Sequence, residues 1–131
     1  MGHVRLTLRI DFGSDRALGP GKIRLLEAIG KTGSISQAGR SLGMSYRRAW
    51  LLVDDLNSCF SEQVVAKKPG GARGGGAALT PFGRELIEKY RSVETRAKSA
   101  AKRQLRDLEA ALRATRPKRH LKTSIAAATA R

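Results

Sequence analysis

The chain has 131 residues, with 26 Lys and Arg against 11 Asp and Glu, a formal net charge of +15. That length suits one domain with a real hydrophobic core and a tail. So large an imbalance points to an anionic partner: nucleic acid first, then an anionic membrane or a ribosomal assembly. The single cysteine, Cys59, excludes an intramolecular disulfide and a cysteine-rich metal site. It sits among apolar residues near a helix end, as a buried structural thiol does. The opening MGHVRLTLRIDF is too short and too charged for a signal peptide, and no apolar run is long enough to span a bilayer. A soluble, cytoplasmic protein is expected.

Val4, Leu6, Leu8, Ile10 and Phe12 alternate with Arg5, Thr7, Arg9 and Asp11, which predicts a half-buried strand. GSDRALGPG follows as a turn, with Pro20-Gly21 opening a helix. KIRLLEAIGKTG places Ile23, Leu26 and Ile29 on one helical face, and Gly33 stops it. Ser34 is the candidate N-cap of a second helix, whose buried stripe is Ile35, Ala38 and Leu42. Gly43 supplies a turn where positive φ is often needed. Ser45 caps a third helix over 45–59, with Ala49, Val53, Leu56 and Phe60 facing the core. Two helices joined by a tight turn form a helix-turn-helix, whose second helix enters a DNA major groove.

The exposed face of that third helix carries the chemistry. Tyr46, Arg47 and Trp50 fall in its first turns, with Arg48 beside them. Trp50 fits core packing as well as it fits the DNA face; Tyr46 and Arg47 are harder to bury. An arginine there can donate two bonds to guanine O6 and N7. Asp54 and Asp55 stand further along, where a carboxylate repels phosphate, so contacts should concentrate in the first two turns. Gln63 to Lys68 reads as a strand, and Ala77 to Leu79 can pair back with it. Between them lies a glycine-rich wing, 69–77, whose one cation is Arg73. Glycine permits close backbone approach to DNA, and a cation can enter a groove or touch a phosphate. Lys67 and Lys68 flank the wing. Its Gly70 and Gly75 have P-loop spacing, but Gly76 and Ala77 stand where that motif needs Lys and Ser or Thr.

From Thr80, a cap followed by Pro81, one long helix is expected over 80–115. Leu86, Tyr90, Val93, Ala97, Ala101, Leu105, Leu108 and Leu112 recur at steps of three and four. A helix of roughly 35 residues is about 50 Å long, more than one small domain covers. The stripe therefore points to homodimerisation through these eight residues, as a packed antiparallel pair, an irregular bundle or a coiled coil. Residues 116–131 carry five Lys or Arg and no acid, and are expected to be a disordered basic tail.

GSISQA, GMSYRRAW and GGARGGGAALTPFGRELIEKY, in that order, resemble the N-terminal DNA-binding domain of the ModE-type, molybdate-responsive transcriptional regulators. More distantly they are similar to the winged helix-turn-helix of LysR-type regulators. The resemblance runs from about Val4 to Val93. It implies a mainly α fold with a small β component: a winged helix-turn-helix domain over 1–95, continued by the long C-terminal helix. It also implies a homodimer reading a palindromic operator in double-stranded DNA. By position, Ser45, Tyr46, Arg47 and Trp50 fall in the family's recognition helix, and Arg73 at its basic wing position. Ser34, Ser36 and Gln37 fall at the start of the preceding helix, where backbone amides meet phosphate. The family's C-terminal oxyanion-binding domains have no counterpart here, so tight binding of molybdate or tungstate by this chain is not expected.

Three other functions compete with a sequence-specific regulator. A low-specificity architectural protein would suit the basic tail, and an adaptor could be built on the long helix. An enzyme has little support: His3 and His120 are far apart, metal-ligand spacing is absent, and no Ser-His-Asp or paired-carboxylate arrangement is suggested. No cofactor is expected.

Overall fold

Helix α1 (Pro20–Thr32) is the pillar of the fold, because four of its side chains, Ile23, Leu25, Leu26 and Ile29, are buried. Pro20 starts it with a preset φ, and Gly33, at φ 71°, ends it in the left-handed region. The structure is a computed structural model that describes residues 4–68 and 76–113. The remaining elements are β1 (Ile10–Phe12), β2 (Arg16–Leu18), α2 (Ile35–Ser41), α3 (Tyr46–Cys59), β3 (Val65–Lys68), β4 (Gly76–Leu79), α4 (Pro81–Ala100) and α5 (Lys102–Ala110). Residues Leu6–Ala100 form one compact unit, and α5 belongs to another. Within the first unit α1 packs against α2, α3, α4 and β4. The chain is mainly helical with two small antiparallel sheets, β1-β2 and β3-β4, in the order of a winged helix-turn-helix.

The two expected helix caps are formed. Ser34 Oγ accepts from the Gln37 amide at 3.1 Å, and Ser45 Oγ accepts from the Arg48 amide at 3.1 Å. The turn between α2 and α3 needs Gly43, whose φ is 72°. Crossing α2 over α3 needs Gly39: a Cβ there would lie 2.8 Å from the Ala49 Cβ. Ala38 and Ala49, both fully buried, keep the same crossing narrow.

Two ties close the unit around α1. The Arg91 guanidinium on α4 donates from Nε and Nη2 to both carboxylate oxygens of Glu27 on α1, at 3.0 and 2.9 Å. It also donates from Nη1 to Glu94 at 2.8 Å. These hydrogen bonds, Glu27's first, hold the guanidinium above its already high ordinary pKa. Tyr90 is buried on α4, and its hydroxyl donates to the Leu8 carbonyl at 2.7 Å, fastening the N-terminal segment. Burial pushes the Tyr90 phenol above its ordinary value of 10.0.

Three expectations are corrected. The N-terminal strand pairs only over Ile10–Phe12, because β2 offers just three partners, Ile10↔Leu18, Asp11↔Ala17 and Phe12↔Arg16. The segment expected to be only a turn therefore contains β2, entered through Gly13. The inside–outside alternation nevertheless runs from Val4 to Phe12. The single helix expected over 80–115 is interrupted at Ala101, whose φ and ψ of −99° and 10° are not helical. The break falls between Lys98 and Lys102, a like-charge i,i+4 pair that penalises a continuous helix. Finally, Leu86 and Tyr90, expected at a dimer interface, are 8% and 1% exposed within their own unit's core. Spacing alone cannot separate an intramolecular partner from a second subunit. The tail, 116–131, lies outside the described residues.

Gly39→Ala is expected to lower stability by about 1–3 kcal/mol, because the added methyl must push α2 and α3 apart. Urea unfolding of the two proteins measures the difference; equal midpoints would show that the crossing relaxes freely.

Candidate nucleic-acid interface

Helix α3 shows two faces. Ala49, Val53 and Leu56 are buried against the core, while Tyr46, Arg47 and Arg48 in its first turn are exposed. Neither arginine has a side-chain hydrogen bond or ion pair among the described residues, so both guanidinium groups are available to an anion. Asp55 is already engaged, its Oδ2 accepting from Lys22 Nζ at 3.0 Å. Lys67 and Lys68, at the end of β3, are exposed and likewise without an ion pair among the described residues.

Between α3, the start of α2 and the β3-β4 hairpin lies an open cleft of about 870 Å³. It brings together Ser34, Ser36, Tyr46, Trp50, Lys67 and Lys68, six of the residues singled out in the sequence. Gln37, Ser45, Arg47 and Arg48 are exposed but do not line it. Ser34 and Ser45 serve as caps, and Ser36 Oγ accepts from Arg40 Nη2 at 3.2 Å. Trp50 is half-buried, packing on the core while it lines the cleft. Its ring meets the exposed Tyr46 ring edge-on, with centroids 6.2 Å apart. Its Nε1 is buried without a hydrogen-bond partner among the described residues, so that donor is closed to solvent. Arg73 and the wing tip, 69–75, lie outside the described residues.

The hairpin is fixed to the helix by a residue that sequence reasoning missed. Asn57, in the last turn of α3, accepts at Oδ1 from the Val64 amide (2.7 Å) and the Val65 amide (3.1 Å). Its Nδ2 donates to the Val65 carbonyl at 3.1 Å. Two further ties hold the hairpin: the Ala77 amide donates to the Gly33 carbonyl at 2.9 Å, and the Thr80 amide donates to the Val64 carbonyl at 3.0 Å. The β3-β4 register runs from Val65↔Leu79 to Lys68↔Gly76, so both lysines sit at the end nearest the wing tip. The available signal for Asn57 was its type, since asparagine disfavours helix interiors unless its amide is otherwise engaged.

No family model matches the chain. Over 100 residues, 76% of this chain and 36% of the relative, it is 40% identical to the molybdenum transport protein ModE of Azotobacter vinelandii. The matched stretch is thus similar to part of a ModE protein. It is 48% identical over 77 residues to the molybdenum-pterin-binding protein MopB of Rhodobacter capsulatus, covering 59% of this chain and 28% of that one. With the DNA-binding transcriptional dual regulator ModE of Escherichia coli K12 the identity is 41% over 71 residues, 54% of this chain and 27% of the relative. The chain thus spans about a third of the length of these ModE-type relatives. None of the three names describes an enzyme. Among the described residues no helix is long and apolar enough to cross a membrane.

Asn57→Ala is expected to cost about 1–3 kcal/mol, since it strands the buried Val64 amide. Asn57→Asp keeps an oxygen for both amides and should lose less. Denaturant unfolding of all three proteins checks the order; an alanine variant as stable as the parent would remove the clamp from the account.

Proposed function

We propose that the chain is a DNA-binding transcriptional regulator, or the DNA-binding part of one, that places α3 in the major groove and the β3-β4 wing beside it. The observation that carries this reading is the pair of exposed arginines, Arg47 and Arg48, without side-chain partners among the described residues, in the first turn of α3, with Lys67 and Lys68 on the adjoining hairpin. Recognition helices present base-reading side chains from their N-terminal turns. The name of the Escherichia coli relative supports it. Arg47 is the guanine-reading candidate, while Arg48, Lys67, Lys68 and Arg73 are the phosphate-contacting or groove-entering set. Ser34, Ser36 and Gln37 border the backbone, and Tyr46 packs at the groove edge against Trp50.

Homodimerisation belongs to the same proposal, through a reduced set. Val93 on α4 is 45% exposed, and Leu108 and Leu112 are 60% and 54% exposed. Ala97, Ala101 and Leu105 are half-buried at the same spacing. This reading assigns no molybdate or tungstate site to the chain's described residues. A second reading, low-specificity DNA coating, is favoured by the net charge of +15.

Selection from a random duplex library, followed by binding to the enriched sequence and to random DNA at fixed salt, separates the two. Arg47→Ala is expected to cost about 1–3 kcal/mol on the enriched sequence and to relax preference at one position per half-site. Equal losses on both DNAs would replace the regulator with the coating protein. Sedimentation at micromolar concentration is expected to show a dimer that Leu108→Glu dissociates, with weaker operator binding. A monomer that binds DNA one-to-one would exclude the dimer.

A further inference from the structure

Helix α3 carries an exposed apolar side chain, Leu51, on its outward face, outside the residues packed on the core. Steps of four, three and four residues align Arg47, Leu51, Asp54 and Ser58 along one stripe. All four are exposed. Ala49, Val53 and Leu56, on the other face, fill the core. Leu51, 54% exposed, stands between the arginine one turn before it and the carboxylate one turn after it. A lone surface leucine is ordinary, but the company of this one is informative. Neither a leucine nor an aspartate gains anything from a phosphate, so the stripe beyond Arg47 is unsuited to the DNA backbone. It suits base edges. The apolar group that a base pair presents in the major groove is the thymine C5-methyl.

We propose that Leu51 packs on a thymine methyl and is a specificity-determining residue of this interface. The inference rests on α3 lying in the major groove, as argued above, and adds a second base to the one assigned to Arg47. Four residues at 1.5 Å each separate Arg47 from Leu51 by about 6 Å along the helix axis. Base pairs rise 3.4 Å, so the thymine lies within about two base pairs of the guanine that Arg47 reads.

The test replaces each thymine of the selected operator in turn by deoxyuridine, which removes only the C5-methyl. Wild-type protein is expected to lose about fourfold in affinity at one thymine per half-site, the worth of one buried methyl. Leu51→Ala should bind the intact operator more weakly by at least that factor and be indifferent to the same replacement. Because Leu51 is exposed, the variant should unfold at the wild-type denaturant midpoint, which is measured alongside. If every thymine replacement costs both proteins the same, Leu51 does not read a methyl and the inference is overturned while the groove reading stands. If selection enriches no sequence at all, the groove reading fails and takes the inference with it.

Discussion

The three hydrogen bonds of Asn57 are the constraint on which the candidate interface depends. They join the last turn of α3 to Val64 and Val65 at the start of the β3-β4 hairpin, and so set where the hairpin stands beside the helix. Beyond them the hairpin is held by the Ala77–Gly33 bond and by Val64, Val65 and Ala77 buried in the core. A side-chain amide suits the position because it offers an acceptor to two successive backbone amides and a donor to a carbonyl. An aliphatic residue would leave buried backbone groups unpaired.

Charge is kept strictly outside. The buried core among the described residues is hydrophobic throughout, from Leu18 to Tyr90. The net charge of +15 therefore loads the surface with self-repulsion. Part of this is relieved where Glu27 and Glu94 bracket Arg91 and where Asp55 meets Lys22. Among the described residues no ion pair involves Arg47, Arg48, Lys67 or Lys68, so these cationic groups stay open.

The helix-turn-helix was legible because its punctuation is local. Ser34, Gly43 and Ser45 act within four residues of their own positions, and each does what its type suggests. Non-local partners were not legible. The alternation from Val4 to Phe12 identified the inward side chains correctly but could not tell how much of the strand would find a partner. Leu86 and Tyr90 share a helical stripe with Val93, yet α1 and the N-terminal segment claim the first two and leave the third exposed. Like-charge crowding at Lys98 and Lys102 was present in the sequence and was outweighed there by the regular apolar spacing. Within the site, the exposed cations could be named in advance. Asn57 could not, because its partners arise only when β3 folds back along α3.

The narrow crossing at Gly39 and Ala49 has an evolutionary reading. It sets the separation of α2 and α3 through the absence of side-chain volume, while the outer stripe from Arg47 to Ser58 contributes nothing to that contact. Geometry and content are thus written on different residues. A lineage could exchange the outer residues freely while inheriting the scaffold unchanged, and duplicated copies could diverge in surface chemistry long before they diverged in shape.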